Sequence, residues 1–298
     1  MKVLATSLKP FGLALFGALF SATTVLFVFS AAPLFALRRS FGRSLYLLLG
    51  GAAFLGFVAA GTMEQWLPFL CVLVLVGVFI ELENGHVKLL MSGFLSVLAS
   101  LGVALTGLFF AAREQGLPAL ELVSAKVATL VEQLRAVNPE VQIEVSYLMG
   151  QVPSAVVMTA LIALWIGLLL EDRFRFLFRA PVVRSEFGRR TFLQFTLPEP
   201  MVWIGMLSLL GAFTEYGQPE VQLIAANLLN IQIVLFFFQG LAIVATFFRS
   251  YKVGPFWQAL VYIILVGQLF ILLSALGFLD YWLELRRRIS SNRPAPTT

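Results

Sequence analysis

Residues 148–170 read LMGQVPSAVVMTALIALWIGLLL and run straight into Glu171-Asp172-Arg173-Phe174-Arg175. No charged side chain interrupts the stretch before its end. About 20 apolar residues form a helix that crosses a hydrocarbon core of about 30 Å. The segment therefore reads as a membrane span with a charged boundary. Other apolar blocks fall at 11–37, 44–61, 66–80, 87–111, 198–213, 222–248 and 254–279. Most fit one helix each, and the third and sixth are short enough that flanking residues should extend them. None shows the period-2 alternation of a transmembrane β-strand. The expected fold is all-α, a polytopic transmembrane bundle of about eight hydrophobic segments. It is expected as one membrane domain over 1–298. N-terminal helices fill 1–111, an extracytoplasmic segment 112–147, C-terminal helices 148–285, and a polar tail 286–298.

Composition agrees. Hydrophobic residues make up 59% of the 298 and charged residues 12%. A soluble domain carries about 45–50% apolar and about 25% charged residues, so this chain needs lipid to cover its apolar surface. The single cysteine, Cys71, lies in the apolar run Leu70-Cys71-Val72-Leu73 and reads as a small buried hydrophobe. The single histidine, His86, excludes His-cluster metal sites, so no metal or cofactor is expected. The net charge of +5 is explained by topology rather than by nucleic acid, because the arginines sit between apolar blocks.

Those arginines orient the bundle. Arg38, Arg39 and Arg43 follow the first block. Arg173, Arg175, Arg179, Arg184, Arg189 and Arg190 separate the fifth from the sixth, and Arg249 and Lys252 separate the seventh from the eighth. All three loops fall on one side, assigned to the cytoplasm of a bacterial inner membrane. The alternate loops carry Glu64, Glu215, Glu220 and the 112–147 segment, where three basic residues face five glutamates. Eight simple spans would leave both termini outside and strand Lys2, Lys9 and Arg286-Arg287-Arg288 there. The first block is long, reads as an uncleaved helix and contains Pro33, so a crossing followed by a turn back would return the N-terminus to the basic side. The eighth block shows no comparable break.

Between blocks four and five, Leu120, Val123, Val127, Leu130, Leu134 and Val137 recur at helical spacing. They predict an amphipathic helix over 117–137, ended by Asn138-Pro139. It would pack by this stripe on the bundle or the headgroups, or form a seam with a second copy or a partner protein, since the spacing is also that of a heptad.

Polar groups inside a bilayer are costly and mark candidate sites. Block seven is the richest. Asn227 and Asn230 lie about 60° apart around the helix, and Gln232 and Gln239 lie about 20° apart on a different face. Asn227, Asn230 and Gln239 are the candidate ligand-binding residues for a small polar solute; helix–helix hydrogen bonding is the competing reading. Gln258 and Tyr262 share a face in block eight and read as structural. Glu81, Glu83, Asn84 and His86 read as a solvated boundary, and Glu171-Asp172 as a helix-end cluster pairing with Arg173 and Arg175. There is no Walker A loop, GxSxG or CxxC, and no enzyme is expected.

Three stretches carry a resemblance. They are Phe195-Thr196-Leu197-Pro198-Glu199-Pro200-Met201-Val202-Trp203; Asn227 and Asn230 followed by Phe238-Gln239-Gly240-Leu241-Ala242-Ile243-Val244; and Leu276-Gly277-Phe278-Leu279-Asp280-Tyr281-Trp282 with Arg286. With the turn Pro33-Leu34-Phe35-Ala36-Leu37-Arg38, their order and spacing resemble the YybS-like family of bacterial membrane proteins. That family is distantly similar to the substrate-binding S components of energy-coupling factor transporters. The resemblance implies a helical bundle that binds a small nutrient and docks on a transmembrane partner driven by separate ATPases. The 112–147 insertion departs from that pattern. Two functions are therefore expected in competition: a solute-binding transport subunit, and a structural or interaction subunit using the 117–137 helix and the 173–190 loop.

Overall fold

A computed structural model describes residues 2–23, 26–60, 63–138, 143–181, 187, 191, 194–214 and 218–291. Arg184, Arg189, Arg190, Glu215 and Pro139 lie outside the described residues, and the side chain of Glu64 is likewise not described. The described elements are all helical. Residue contacts divide the chain into two units, Met1–Phe187 and Gly188–Thr298.

The first unit opens with α1 (Lys2–Ser21), a short 3-10 turn (Phe27–Ser30) and α2 (Ala31–Ala60). It continues with α3 (Met63–Asn84), α4 (Leu89–Glu114), α5 (Ala119–Val137) and α6 (Val145–Leu177). The expected first span is thus two helices. α1 ends at Ser21 and α2 begins at Ala31, before Pro33, which lies in the first turn of α2, where its missing N–H costs nothing. α2 is itself broken. Gly42 sits at φ +87 and ψ 178, a conformation that a side chain disfavours. The part before Gly42 is among the most buried in the unit: Ala31, Ala32, Leu34, Phe35, Ala36 and Leu37 have no exposed surface.

The N-terminal pair doubles back onto the end of α6. Lys9 Nζ donates to the carbonyl of Arg179, 2.9 Å away. Phe16 and Phe20 pack edge-on against Phe174. At the far end of the hairpin, Arg39 reaches Glu171. Both ends of the hairpin therefore lie at the same end of α6. Close approach is possible because Gly167 faces Ala31 and Phe35; a methyl group there would lie 2.8 Å from Ala31 Cβ.

α4 packs on α3 through small residues. Ser92, Ser96 and Ser100 recur every fourth position and are buried, the spacing that lets helices approach in a membrane. Ser100 Oγ donates to the carbonyl of Cys71 at 3.1 Å.

α5 forms where expected, with Asn138 as its C-cap. The chain itself covers only part of the stripe, which departs from packing on the bundle and leaves the headgroup and partner alternatives: Leu122 and Val131 are buried and Val123 and Val127 half-buried, while Leu120, Leu130, Leu134 and Val137 of the apolar stripe are exposed. Leu122 meets Ala111 and Ala112 at the end of α4, with Leu108 and Ala119 beside them. The helix is anchored by Leu122 and Val131 outside the stripe, and four of the six stripe residues face outward. Leu122→Ala should then cost about 2 kcal/mol, the low end for a buried leucine because its neighbours are small. Leu134→Asp should leave the melting temperature of the purified protein unchanged. A larger loss for Leu134→Asp than for Leu122→Ala would contradict this packing.

The second unit contains α7 (Glu199–Phe213), α8 (Pro219–Ser250), α9 (Pro255–Gln268), α10 (Phe270–Leu283) and α11 (Leu285–Ser291). Pro198 caps α7, and Glu199 lies in its first turn, where a carboxylate meets the positive end of the helix dipole. α7 keeps its 15 residues and is not extended by its flanks as expected. The eighth block is not a single straight helix either, since α9 and α10 meet at a 99° bend. Among the described residues, five helical stretches are long and apolar enough to cross a membrane, or six if the bent pair is one span. With the shorter apolar stretches Leu8–Ser21 and Glu199–Phe213, the bundle departs from the eight expected segments, because the first expected block divides between α1 and α2 and the second is the later half of α2.

Candidate functional site

The densest polar cluster of the first unit is built where α2, α3 and α6 meet. Arg38 Nη2 donates to Glu81. Arg39 donates to Glu83 at 2.5 Å through Nη2 and to Glu171 through Nη1. Arg175 pairs with Glu171 at 3.0 Å and with Asp172 at 2.9 Å. Arg43 approaches Glu81 at 3.8 Å from the exposed side. Four guanidinium groups thus face four carboxylates. The inner members are nearly sealed: the Arg39 side chain is 4% exposed and that of Glu171 is 2% exposed. The Arg39 guanidinium also lies 5.3 Å from the centre of the Phe35 ring, a cation–π distance.

Helix geometry places these groups. Arg38 and Arg39 are carried in on the buried half of α2, just before the break at Gly42. Glu81 and Glu83 come from the last turn of α3. Glu171 and Arg175 are one turn apart on α6 and form an (i, i+4) pair. The backbone N–H of Phe187 also donates to Glu83 at 3.2 Å. Such burial is favourable only when each charge keeps its partner.

Two expectations are corrected here. Glu83 belongs to this sealed network and not to a solvated boundary. Glu171 has Arg39 as well as Arg175, while Arg173 points outward. The arginines after the first block read in the sequence as topology signals, and nothing local distinguishes a topology arginine from a buried partner.

In the second unit, the three motif stretches converge. Gln239 accepts from the N–H of Leu197 through Oε1 and donates to the carbonyl of Gly277 through Nε2, each at 2.9 Å. Arg286 pairs with Asp280 at 2.7 Å. It also donates to the carbonyl of Phe195 at 2.8 Å and to the Thr196 hydroxyl at 3.1 Å. Between them, α8 and α10 touch backbone to backbone at Gly240 and Gly277. Asp280 is therefore a buried ion-pair partner.

With this convergence in view, the family assignment is informative. The model of a family of predicted membrane proteins, DUF2232, matches residues 12–281. The chain belongs to this family. No curated protein and no solved structure matches it. The matched region of this DUF2232 chain contains the ion network and the Gln239 contacts, while Arg286 lies just beyond it.

The candidate solute residues separate. Gln239 commits both ends of its amide to the chain, as above. Asn227 and Asn230 are half-buried, and Asn227 Nδ2 donates to the Leu223 carbonyl at 2.9 Å. Gln239 lies about 13–18 Å further along α8 at 1.5 Å per residue, so this helix does not bring all three to one place. Gln232 is buried against Met201, with Nε2 3.5 Å from the sulfur, and its Oε1 has no hydrogen-bond partner among the described residues.

Proposed function

We propose that this DUF2232 chain is a membrane-embedded subunit of transport type, which binds a small polar solute and draws energy from separate partner proteins. The observation that carries this reading is the amide edge of α8: Asn227 and Asn230 are half-buried within a helix long and apolar enough to cross a membrane, and polar side chains at such a place mark solute and ion pathways. The Asn227/Asn230 edge is the proposed solute wall, because each amide offers both a donor and an acceptor. Gln239 serves that reading as a brace.

The test is native mass spectrometry of the purified protein with thermal melts, wild type against Asn227→Ala/Asn230→Ala. A small molecule bound to wild type and absent from a double variant of unchanged melting temperature supports the reading. A wild type with nothing bound and a variant of lowered melting temperature contradicts it.

The exposed stripe of α5 favours a second reading, an interaction subunit that recruits a partner through Leu120, Leu130, Leu134 and Val137. Copurifying proteins separate the two: ATPase subunits favour transport, and envelope or regulatory proteins favour recruitment.

A further inference from the structure

We propose that α9 lies in the plane of the membrane, at the end of α8 that carries Arg249 and Lys252, with its outward face in the acyl chains and those two cations on anionic phospholipid headgroups. Geometry is the first support. α8 is long and apolar enough to cross a membrane. α10 runs antiparallel along it: a methyl group built on Gly240 would meet Leu273, and one on Gly277 would meet Phe236. Phe236 packs on Phe278 and Phe237 on Phe270. α9 bends away from α10 by 99°, so it runs across the direction of α8. At 14 residues it extends about 21 Å, too short for a hydrocarbon core of about 30 Å.

The second support is how its side chains divide. None of its residues is buried. Gln258 and Tyr262 turn towards the chain: Gln258 Nε2 donates to the Val253 carbonyl at 2.7 Å, and the Tyr262 ring packs edge-on against Phe248 at 5.2 Å. The opposite face carries Phe256, Trp257, Leu260, Ile263 and Ile264, all exposed. Apart from Gln268, exposed at the last position of the helix, polar groups lie inward and apolar groups outward, the pattern a lipid-facing helix requires, since the acyl region accepts the apolar face and the backbone is satisfied within the helix. The third support is the corner between α8 and α9. Lys252 adopts φ +51, and the N–H of Val253 donates back to Phe248 at 3.0 Å. This sharp exit leaves Arg249, Tyr251 and Lys252 exposed next to Trp257, the aromatic and basic composition of a headgroup layer.

The experiment places single cysteines at 256, 257, 260, 263 and 264 in a Cys71→Ala background. Each is spin-labelled in vesicles of phosphatidylcholine with phosphatidylglycerol. Relative accessibility to oxygen and to a nickel chelate reports depth. All five positions are expected within one narrow band of depth and open to oxygen. A depth that changes steadily from 256 to 264 would show a crossing helix, and low access to both reagents would show a face covered by a second copy or a partner protein; either overturns the proposal. A second measurement tests the headgroups. Adding phosphatidylglycerol to neutral vesicles should raise the wild-type melting temperature by about 4 °C more than that of Arg249→Gln/Lys252→Gln. An equal rise in both would remove the anionic-lipid contact.

Discussion

Replacing Gly277 with alanine is expected to destroy the packing of the second unit. The added methyl would lie 2.0 Å from the Phe236 carbonyl oxygen and 2.8 Å from the Gly240 nitrogen. Both obstacles are backbone, so no side-chain rotation relieves the overlap, and α10 must move off α8. Gly240→Ala meets the Leu273 carbonyl oxygen at 2.1 Å and should behave in the same way. Overpacking a tight contact costs about 1–3 kcal/mol, and about 3 kcal/mol is expected here. The displacement would also stretch the Gln239 bond to Gly277. Gly56 and Gly267 have open space around the same position, so their alanine variants should melt within about 0.5 kcal/mol of wild type. Circular dichroism melts in detergent would read the difference. A Gly277→Ala protein as stable as Gly267→Ala would refute the backbone contact.

The second large effect is expected at Arg39. Its removal leaves Glu83 and Glu171 buried with their main partner gone. Breaking a buried pair on one side costs about 3–5 kcal/mol. Arg39→Ala should therefore cost that much, whereas Arg43→Ala, whose side chain is 70% exposed, should cost under about 1 kcal/mol. The combined variant Arg39→Met/Glu83→Leu/Glu171→Leu removes the three central charges, leaves Arg175 its pair with Asp172, and should recover much of the lost stability. The comparison also separates fold from function. A triple variant that folds but no longer supports solute binding would place the network in the working part of the molecule. A triple variant less stable than Arg39→Ala would show that the charges stabilise the fold directly.

The sequence shows its class plainly because a membrane imposes a coarse rule, about 20 apolar residues per crossing. Residues 63–84, 89–114 and 145–177 became helices for that reason. The breaks were harder to read. Gly42 sits between Phe41 and Arg43 with no proline or turn sequence beside it, and α9 meets α10 at Leu269, where Gly267-Gln268 only briefly interrupts an apolar block. Hydropathy does not register a bend when both arms are apolar. The α5 helix was legible from its spacing, but its buried margin depends on where α4 ends. The ion network was not legible because its pairs are remote: Arg39 and Glu171 are 132 positions apart. The Gln239 brace was half legible, since the motif residues stood out while their convergence required the fold.

The central claim is that the N-terminal pair is a hairpin whose two ends lie together at the C-terminal end of α6. Cysteine labelling from outside sealed cells or vesicles tests it, using single cysteines in a Cys71→Ala background at Leu8, Arg173 and Leu120, all of them exposed. The account predicts that Leu8→Cys and Arg173→Cys are labelled from the same side and Leu120→Cys from the other. Labelling of Leu8→Cys together with Leu120→Cys would mean that α1 crosses the membrane alone, and would contradict it.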